Sequence, residues 1–391
     1  MADGMIRLAE EEKTRALALF TEILEIPTVN GVNGEAPLAE YLMGHFKDRG
    51  IDAFIQPVEE GRANVIADVK GGSPEKILLN GHLDTVPYGD LAAWDTDPAA
   101  PVIKDGRLFA RGSSDMKSGL AAYVFTLCLM AEKGKRPRFD ITFIGTCNEE
   151  NGGSGAQKIM EAGLLDSPEL ILIGEPTDMN LGAAQKGCFW VEFAFSGKTS
   201  HGAYPWEGVN AFELGFRLLS ELKAHIGSFT HPLLGAATGE ITIAECGVAP
   251  NMVPDSARFV MDIRNVPGLP QEDILQKARG FIDDYSAKYP GFGGKLKVIN
   301  QRPALDTTEF MAESPFVREL RETAGQILGE SPADIGINYY TDGSILSQNG
   351  RTPVILFGPG TPSEAHKPNE SLVLERYFET IEILVNLLYG Y

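Results

Sequence analysis

The sequence predicts an α/β protein in two parts: a mainly parallel, helix-covered sheet, interrupted by an inserted α+β two-layer domain. Three observations carry this expectation. Through the first half of the chain, short continuous apolar runs alternate with helical patterns, as buried parallel strands and their covering helices do. From about residue 187 the strands instead alternate apolar and polar residues, the pattern of a sheet with one open face. After about residue 302 the first style returns. The expected division is therefore 1–186 with 302–391 as one discontinuous domain, and 187–301 as the insertion. A chain of 391 residues also exceeds the ~250–300 residues at which a single core stops growing.

Taken in order, residues 9–24 and 35–48 read as amphipathic helices, the second ended by Gly50. Apolar or alternating runs follow near 52–57, 63–69 and 76–80. Residues 116–133 carry Leu120, Val124, Leu127, Cys128 and Met130 at roughly helical spacing, which predicts a long amphipathic helix stopped by Gly134. A strand over 139–146, a Gly-rich turn, a helix over 155–164 and a strand over 169–173 complete a run of β/α units. In the insertion, Phe189 to Phe195 alternates as a half-exposed strand. A helix over 208–225, strands near 239–246 and 256–264 and a helix over 270–288 follow, a β-α-β-β-α-β order. A long edge strand there would leave unpaired backbone groups, so self-pairing into a homodimer is expected. A helix over 313–328 and a strand over 353–357 return to the first domain.

Composition narrows the function. The net charge is −20 without a basic run, which disfavours nucleic acid and anionic membrane as partners. No segment approaches the ~20 uninterrupted apolar residues of a membrane span. The first residues are acidic and helical, unlike a cationic export signal, so a cytoplasmic location is expected. Cys128, Cys147, Cys188 and Cys246 lie far apart with no Cys-x-x-Cys pair, against a thiolate metal site or a disulfide framework. Cys147, two residues before a carboxylate, reads as a buried small hydrophobe rather than a nucleophile.

The chemistry lies in acids and imidazoles, most of them placed just after apolar runs. His82 follows Ile77-Leu78-Leu79, Glu149-Glu150 follow Ile141 to Ile144, and Glu175 follows Leu170 to Ile173. His366 comes a few residues after Val354 to Phe357, and Asp115 directly precedes the long helical pattern. Open α/β sheets bind ligands beyond the carboxyl ends of their strands, so these groups are expected to converge. Singly, each has an ordinary reading: His82-Leu83-Asp84 a polar pair at a strand end, Asp115 an N-cap, Glu149-Glu150 an acidic turn, Glu175 a turn start before Pro176, His366 a loop histidine. Together they offer two imidazoles and several carboxylates, the composition of a metal site. In His-x-Asp one residue can ligate while the other orients it. Two adjacent buried carboxylates repel unless a cation or a proton compensates them, so one of Glu149 and Glu150 would bind metal and the other accept a proton. Two zinc ions would be satisfied if one carboxylate bridges them. Competing motifs are poor. Gly152-Gly153-Ser154-Gly155 lacks the dinucleotide and phosphate-loop spacings, and no Gly-x-Ser-x-Gly elbow is present.

At Gly81-His82-Leu83-Asp84-Thr85-Val86-Pro87, Arg111 to Gly119, Asn148-Glu149-Glu150, Gly174-Glu175-Pro176-Thr177 and Gly358-Pro359-Gly360 the chain resembles the di-zinc metallohydrolases. That family includes acetylornithine deacetylase, succinyl-diaminopimelate desuccinylase, aminoacylase and glutamate carboxypeptidase, and the likeness spans nearly the full length. The resemblance implies a zinc-exopeptidase-like catalytic domain with an inserted lid and dimerisation domain. It implies two divalent ions, zinc first, with cobalt or manganese as alternatives. Asp115 would bridge them, Glu150 and His366 would complete one site, and His82 and Glu175 the other. Glu149 would be the general base and Asp84 the orienter of His82, with a cis peptide after Asp115. His201, within Gly197 to Pro205, would reach the partner subunit's site and stabilise an oxyanion. Asn251, Arg264 and Thr341 match substrate-side positions, although Arg264 also reads as a surface strand residue and Tyr339-Tyr340 departs from the family's usual glycine. The substrate implied is a small N-acyl amino acid, cleaved in acetylornithine deacetylase or desuccinylase fashion. A metallo-dipeptidase or carboxypeptidase using the same site is the alternative, and a non-catalytic peptide-binding relative the third reading.

Overall fold

In a computed structural model that describes residues 4–165, 168–348 and 350–390, the chain divides into two compact units. The first holds residues 1–183, 307–335 and 341–391, and the second holds 184–306 and 336–340.

The first unit is organised by a sheet whose centre is parallel. Along the sheet the strands run Asp52–Glu59, Arg62–Val69, Phe139–Thr146, Ser73–His82, Leu170–Ile173, Val354–Leu356 and Leu181–Gln185. Phe139–Thr146, Ser73–His82, Leu170–Ile173 and Val354–Leu356 pair in parallel, and the outer pairings are antiparallel. The register puts His82 beside Thr146, and Asn80 and Leu356 each beside Ile173. These strands therefore end together, and the segments that follow them leave from one edge. Leu170–Ile173 is buried throughout, as the continuous apolar run requires.

The helix Lys117–Glu132 departs from expectation. Its residues from Lys117 to Met130 are all buried, so it is not amphipathic. It packs on strand Ser73–His82 and against helices Glu10–Glu25, Ala36–Lys47 and Leu374–Tyr389, which leaves no wet face. The helix Leu374–Tyr389, which the sequence reading left unassigned, is itself mostly buried and supplies one of those walls. Gly119 makes this packing possible. A Cβ there would lie 2.0 Å from the carbonyl oxygen of Gly174, so the helix backbone rests directly on the backbone that precedes Glu175.

The second unit is a four-stranded antiparallel sheet in the order Thr238–Cys246, Ser256–Arg264, Cys188–Ser196, Gly293–Arg302. The helices Ala211–Gly227 and Gln271–Lys288 pack with it into an apolar core. Phe189, Val191, Phe193 and Phe195 point into that core, whereas Trp190 stays 36% exposed on the other face, the alternation read from the sequence. The edge strand Thr238–Cys246 is mostly exposed. The short return of residues 336–340 to this unit carries no sequence signal that would announce it.

Candidate metal centre

His82 is the last residue of its strand and is 2% exposed. Its Nδ1 lies 2.9 Å from the backbone carbonyl of Asp84. A carbonyl only accepts, so Nδ1 carries a hydrogen and Nε2 is the nitrogen turned toward the cluster. That Nε2 faces Asp115 Oδ1 at 3.1 Å. The other oxygen of Asp115, Oδ2, lies 3.3 Å from His366 Nε2, which in turn lies 3.0 Å from Glu150 Oε1. Asp115 thus stands between two imidazoles brought from opposite ends of the chain. Two ligand groups result, His82-Asp115-Glu175 and Asp115-Glu150-His366, each with donor atoms within 4.8 Å of one another. The Asp115-Met116 peptide is cis.

Asp84 does more than the sequence reading assigned to it. Its carboxylate sits 3.8 Å from His82 Nδ1, and it is the backbone carbonyl that orients the ring. The carboxylate instead accepts from Glu149 N at 3.0 Å, Glu150 N at 3.1 Å and Asn30 Nδ2 at 2.6 Å. One residue therefore holds an imidazole with its main chain and the two adjacent acids with its side chain. Arg62 extends the support, donating to Asn30 Oδ1 at 3.0 Å and to the buried Glu35 at 2.8 Å.

The electrostatics are those of concentrated, buried negative charge. Burial, with the charges of Glu175, Asp342 and Glu150 added, pushes Glu149 well above the usual carboxylate range. Burial and Asp115 push Glu150 and Glu175 up as well. Burial would also raise Asp115, but its bonds to His366 and His82 outweigh that and hold it below the ordinary value. The same bonds, to Asp115 and Glu150, push His366 up to about 10. Four carboxylates against two imidazoles leave an unbalanced charge that divalent cations would neutralise. The donors are nitrogen and oxygen only, which suits zinc, cobalt or manganese. Glu149 fits as a group free to move a proton: its Oε1 is buried and has no hydrogen-bond partner. Cys147 is buried and its thiol is pushed up by that burial, which suits packing and not nucleophilic attack.

Other expected residues are placed as follows. In the second unit, His201 sits in an exposed loop whose Gly202 N donates to the carbonyl of Asn251 at 2.7 Å, so the two are neighbours. His201 Nδ1 accepts from Ala203 N at 3.0 Å, which leaves the ring hydrogen on Nε2. The Arg264 guanidinium is engaged by Asp262, two residues back on the same strand face, at 2.9 and 3.1 Å. In the first unit, Thr341 is buried and its hydroxyl accepts from Gly343 N at 3.1 Å. Two acids escaped the sequence reading. Asp342 is buried and its charge raises both Glu149 and Glu175. Glu370, four residues after His366, is buried and bonded to the loop of Asp115. Its place in the His366 segment was the one available signal.

The family model for peptidase family M20/M25/M40 matches residues 78–390, a span that takes in every ligand candidate. The chain belongs to this family. An M20 chain is a hydrolase of amide or peptide bonds. Among curated relatives, the protein is 29% identical to a probable succinyl-diaminopimelate desuccinylase of Staphylococcus aureus strain N315, covering 97% of each chain. It is 31% identical to an acetylornithine deacetylase of Myxococcus xanthus, covering 92% of each. Among solved structures, a tripeptidase from Staphylococcus aureus matches with a TM-score of 0.80 at 22% identity, covering 99% of each chain. The M20 fold of a mainly parallel sheet with an added α+β unit is thus shared.

Proposed function

We propose that this M20 chain is a di-metal amidohydrolase that cleaves an N-acyl amino acid, in the manner of a deacetylase or desuccinylase. The observation that carries the reading is Asp115 set between His82 and His366, with Glu150 and Glu175 alongside and an unpartnered Glu149 oxygen in the same buried cluster. The names of the two curated relatives support the acyl-amino-acid class.

His82, Asp115 and Glu175 would hold one cation and Asp115, Glu150 and His366 the other, zinc first, with cobalt or manganese as substitutes. When bound, such a pair supplies Lewis-acid polarisation and a water acidified to a pKa of ~7. The remaining chemistry belongs to the chain. Glu149 takes a proton from the attacking water and returns it to the leaving nitrogen. Asp84 fixes Glu149 through its main-chain N–H, so the proton acceptor is held without spending its own carboxylate. His201, with Nε2–H available, donates to the developing oxyanion. It acts on the partner subunit's site in a homodimer built on the exposed edge strand Thr238–Cys246. Mixing inactive His201→Ala with inactive Glu149→Ala subunits should restore part of the activity. No recovery despite proven subunit exchange would remove this role.

The substrate class is tested with zinc- or cobalt-loaded protein on N-acetyl and N-succinyl amino acids beside dipeptides. Higher kcat/KM on the acyl amino acids is expected. Preference for dipeptides would move the chain to the peptidase reading, which uses the same site. Hydrolysis of neither by protein carrying two cations would sink the proposal.

A further inference from the structure

Glu370 is 1% exposed, yet it makes four hydrogen bonds to the loop that presents Asp115. Its Oε1 accepts from Gly112 N at 3.1 Å, Ser114 N at 2.8 Å and Asp115 N at 3.0 Å. Its Oε2 accepts from Arg111 Nη1 at 2.7 Å. The loop curls its N–H groups around one oxygen, the concave arrangement by which backbones bind anions, with the anion supplied by the chain itself. Buried and without Glu370, those N–H groups would lose their acceptor at a cost comparable to lost hydrogen bonds.

The anchor also joins two ligands. Glu370 belongs to the segment of His366, so the same few residues that deliver one imidazole also hold the backbone of the carboxylate it faces. A second tie runs alongside. Ser114 Oγ donates to Thr361 O at 3.0 Å, and Thr361 N donates to Ser114 Oγ at 2.8 Å. Arg111 is fixed in its turn by the carbonyls of Lys367 and Pro87, at 3.3 and 3.2 Å, and by the Trp94 ring at 5.1 Å. On the side of His82, the ring is held by the main-chain carbonyl of Asp84.

We propose that Glu370 is a positioning residue of the metal centre. Through the Arg111–Asp115 loop it fixes Asp115 against His366 and thereby sets the affinity of the site for divalent cations. The inference rests on the di-metal reading above and adds to it a determinant that touches neither cation nor substrate.

The test is cation affinity, read by titrating chelator-stripped protein with Co2+ and, separately, Zn2+. In Glu370→Gln the amide nitrogen confronts the Arg111 guanidinium or the loop N–H groups, donor against donor. The cation Kd should rise ~10–100-fold while circular dichroism stays native, the scale on which such supporting partners act. In the double variant Arg111→Met with Glu370→Gln, the amide oxygen is free to take the loop N–H groups, and affinity should return to within about threefold of wild type. A single variant within about twofold of wild type overturns the proposal, as does a folded double variant about tenfold or more weaker. Should the single variant not fold, the double variant decides by the same criterion. Wild-type protein that binds no divalent cation would fell the di-metal reading and this proposal together. Two cations bound by wild type with unchanged affinity in Glu370→Gln would fell this proposal alone.

Discussion

A carboxylate between two imidazoles and three further acids has few comfortable states unless a cation joins it. Asp115 and Glu149 divide that situation between them, one bonded on both oxygens and the other with an oxygen bonded to nothing. Their substitutions should therefore separate. Glu149→Ala should lower kcat by ~10²–10⁴, the usual worth of a positioned acid–base, with cation content near wild type. Asp115→Ala should lose cation binding itself, measured by elemental analysis after dialysis. Equal loss of metal in both would contradict the assignment of Glu149 as proton carrier. At this scale the sequence was informative where function follows residue type: His82, Asp115, Glu149, Glu150, Glu175 and His366 were readable as acids and imidazoles near strand ends. The roles of Asp84 and Glu370 were not. Both act on backbone N–H groups, which every residue has, and Glu370 reaches its partners across most of the chain.

Among the elements, the helix Lys117–Glu132 shows what periodicity omits. Its apolar spacing was legible, but burial on every side depends on walls contributed from both ends of the chain. Its contact with the sheet is backbone to backbone at Gly119 and Gly174, immediately before Glu175 and one turn after Asp115. Gly119→Ala should therefore force the helix away from the sheet, destabilising the fold by ~1–3 kcal/mol through overpacking. It should also weaken cation binding, because the carriers of Asp115 and Glu175 move apart. Thermal melting and a cobalt titration check both effects. A variant that melts and binds like wild type would show that the approach is looser than 2.0 Å implies.

For the molecule as a whole, the buried acids couple stability to pH and to metal. Glu149, Glu150 and Glu175 are raised in the folded state, so the stability they contribute is present below their ordinary value of 4.5 and is lost as pH rises through their folded values. His366 runs the same way, its contribution present below 6.5 and lost as pH rises through about 10. Asp115 opposes them, since its lowered value favours the folded state above 3.8. Chelator-stripped protein should thus melt at lower temperature as pH is raised from ~5 to ~8. A divalent cation at ~100 times its Kd should restore about 2.7 kcal/mol. A Tm of stripped protein that climbs over this range, or one indifferent to added zinc, would contradict this account. The two styles of strand were legible because a sheet buried on both faces and a sheet buried on one leave different alternations. The brief passage of residues 336–340 into the second unit was not, being too short to have a pattern.

That passage has a practical consequence. The chain crosses between its units at 183–184, 306–307, 335–336 and 340–341. Deleting the long excursion and splicing its flanks would still leave five residues without the surroundings they fold against. Nicking at 306–307 or at 335–336 would yield two fragments that each remain threaded through both bodies. Dissection of this protein, whether by protease or by cloning, has to respect two excursions and not one.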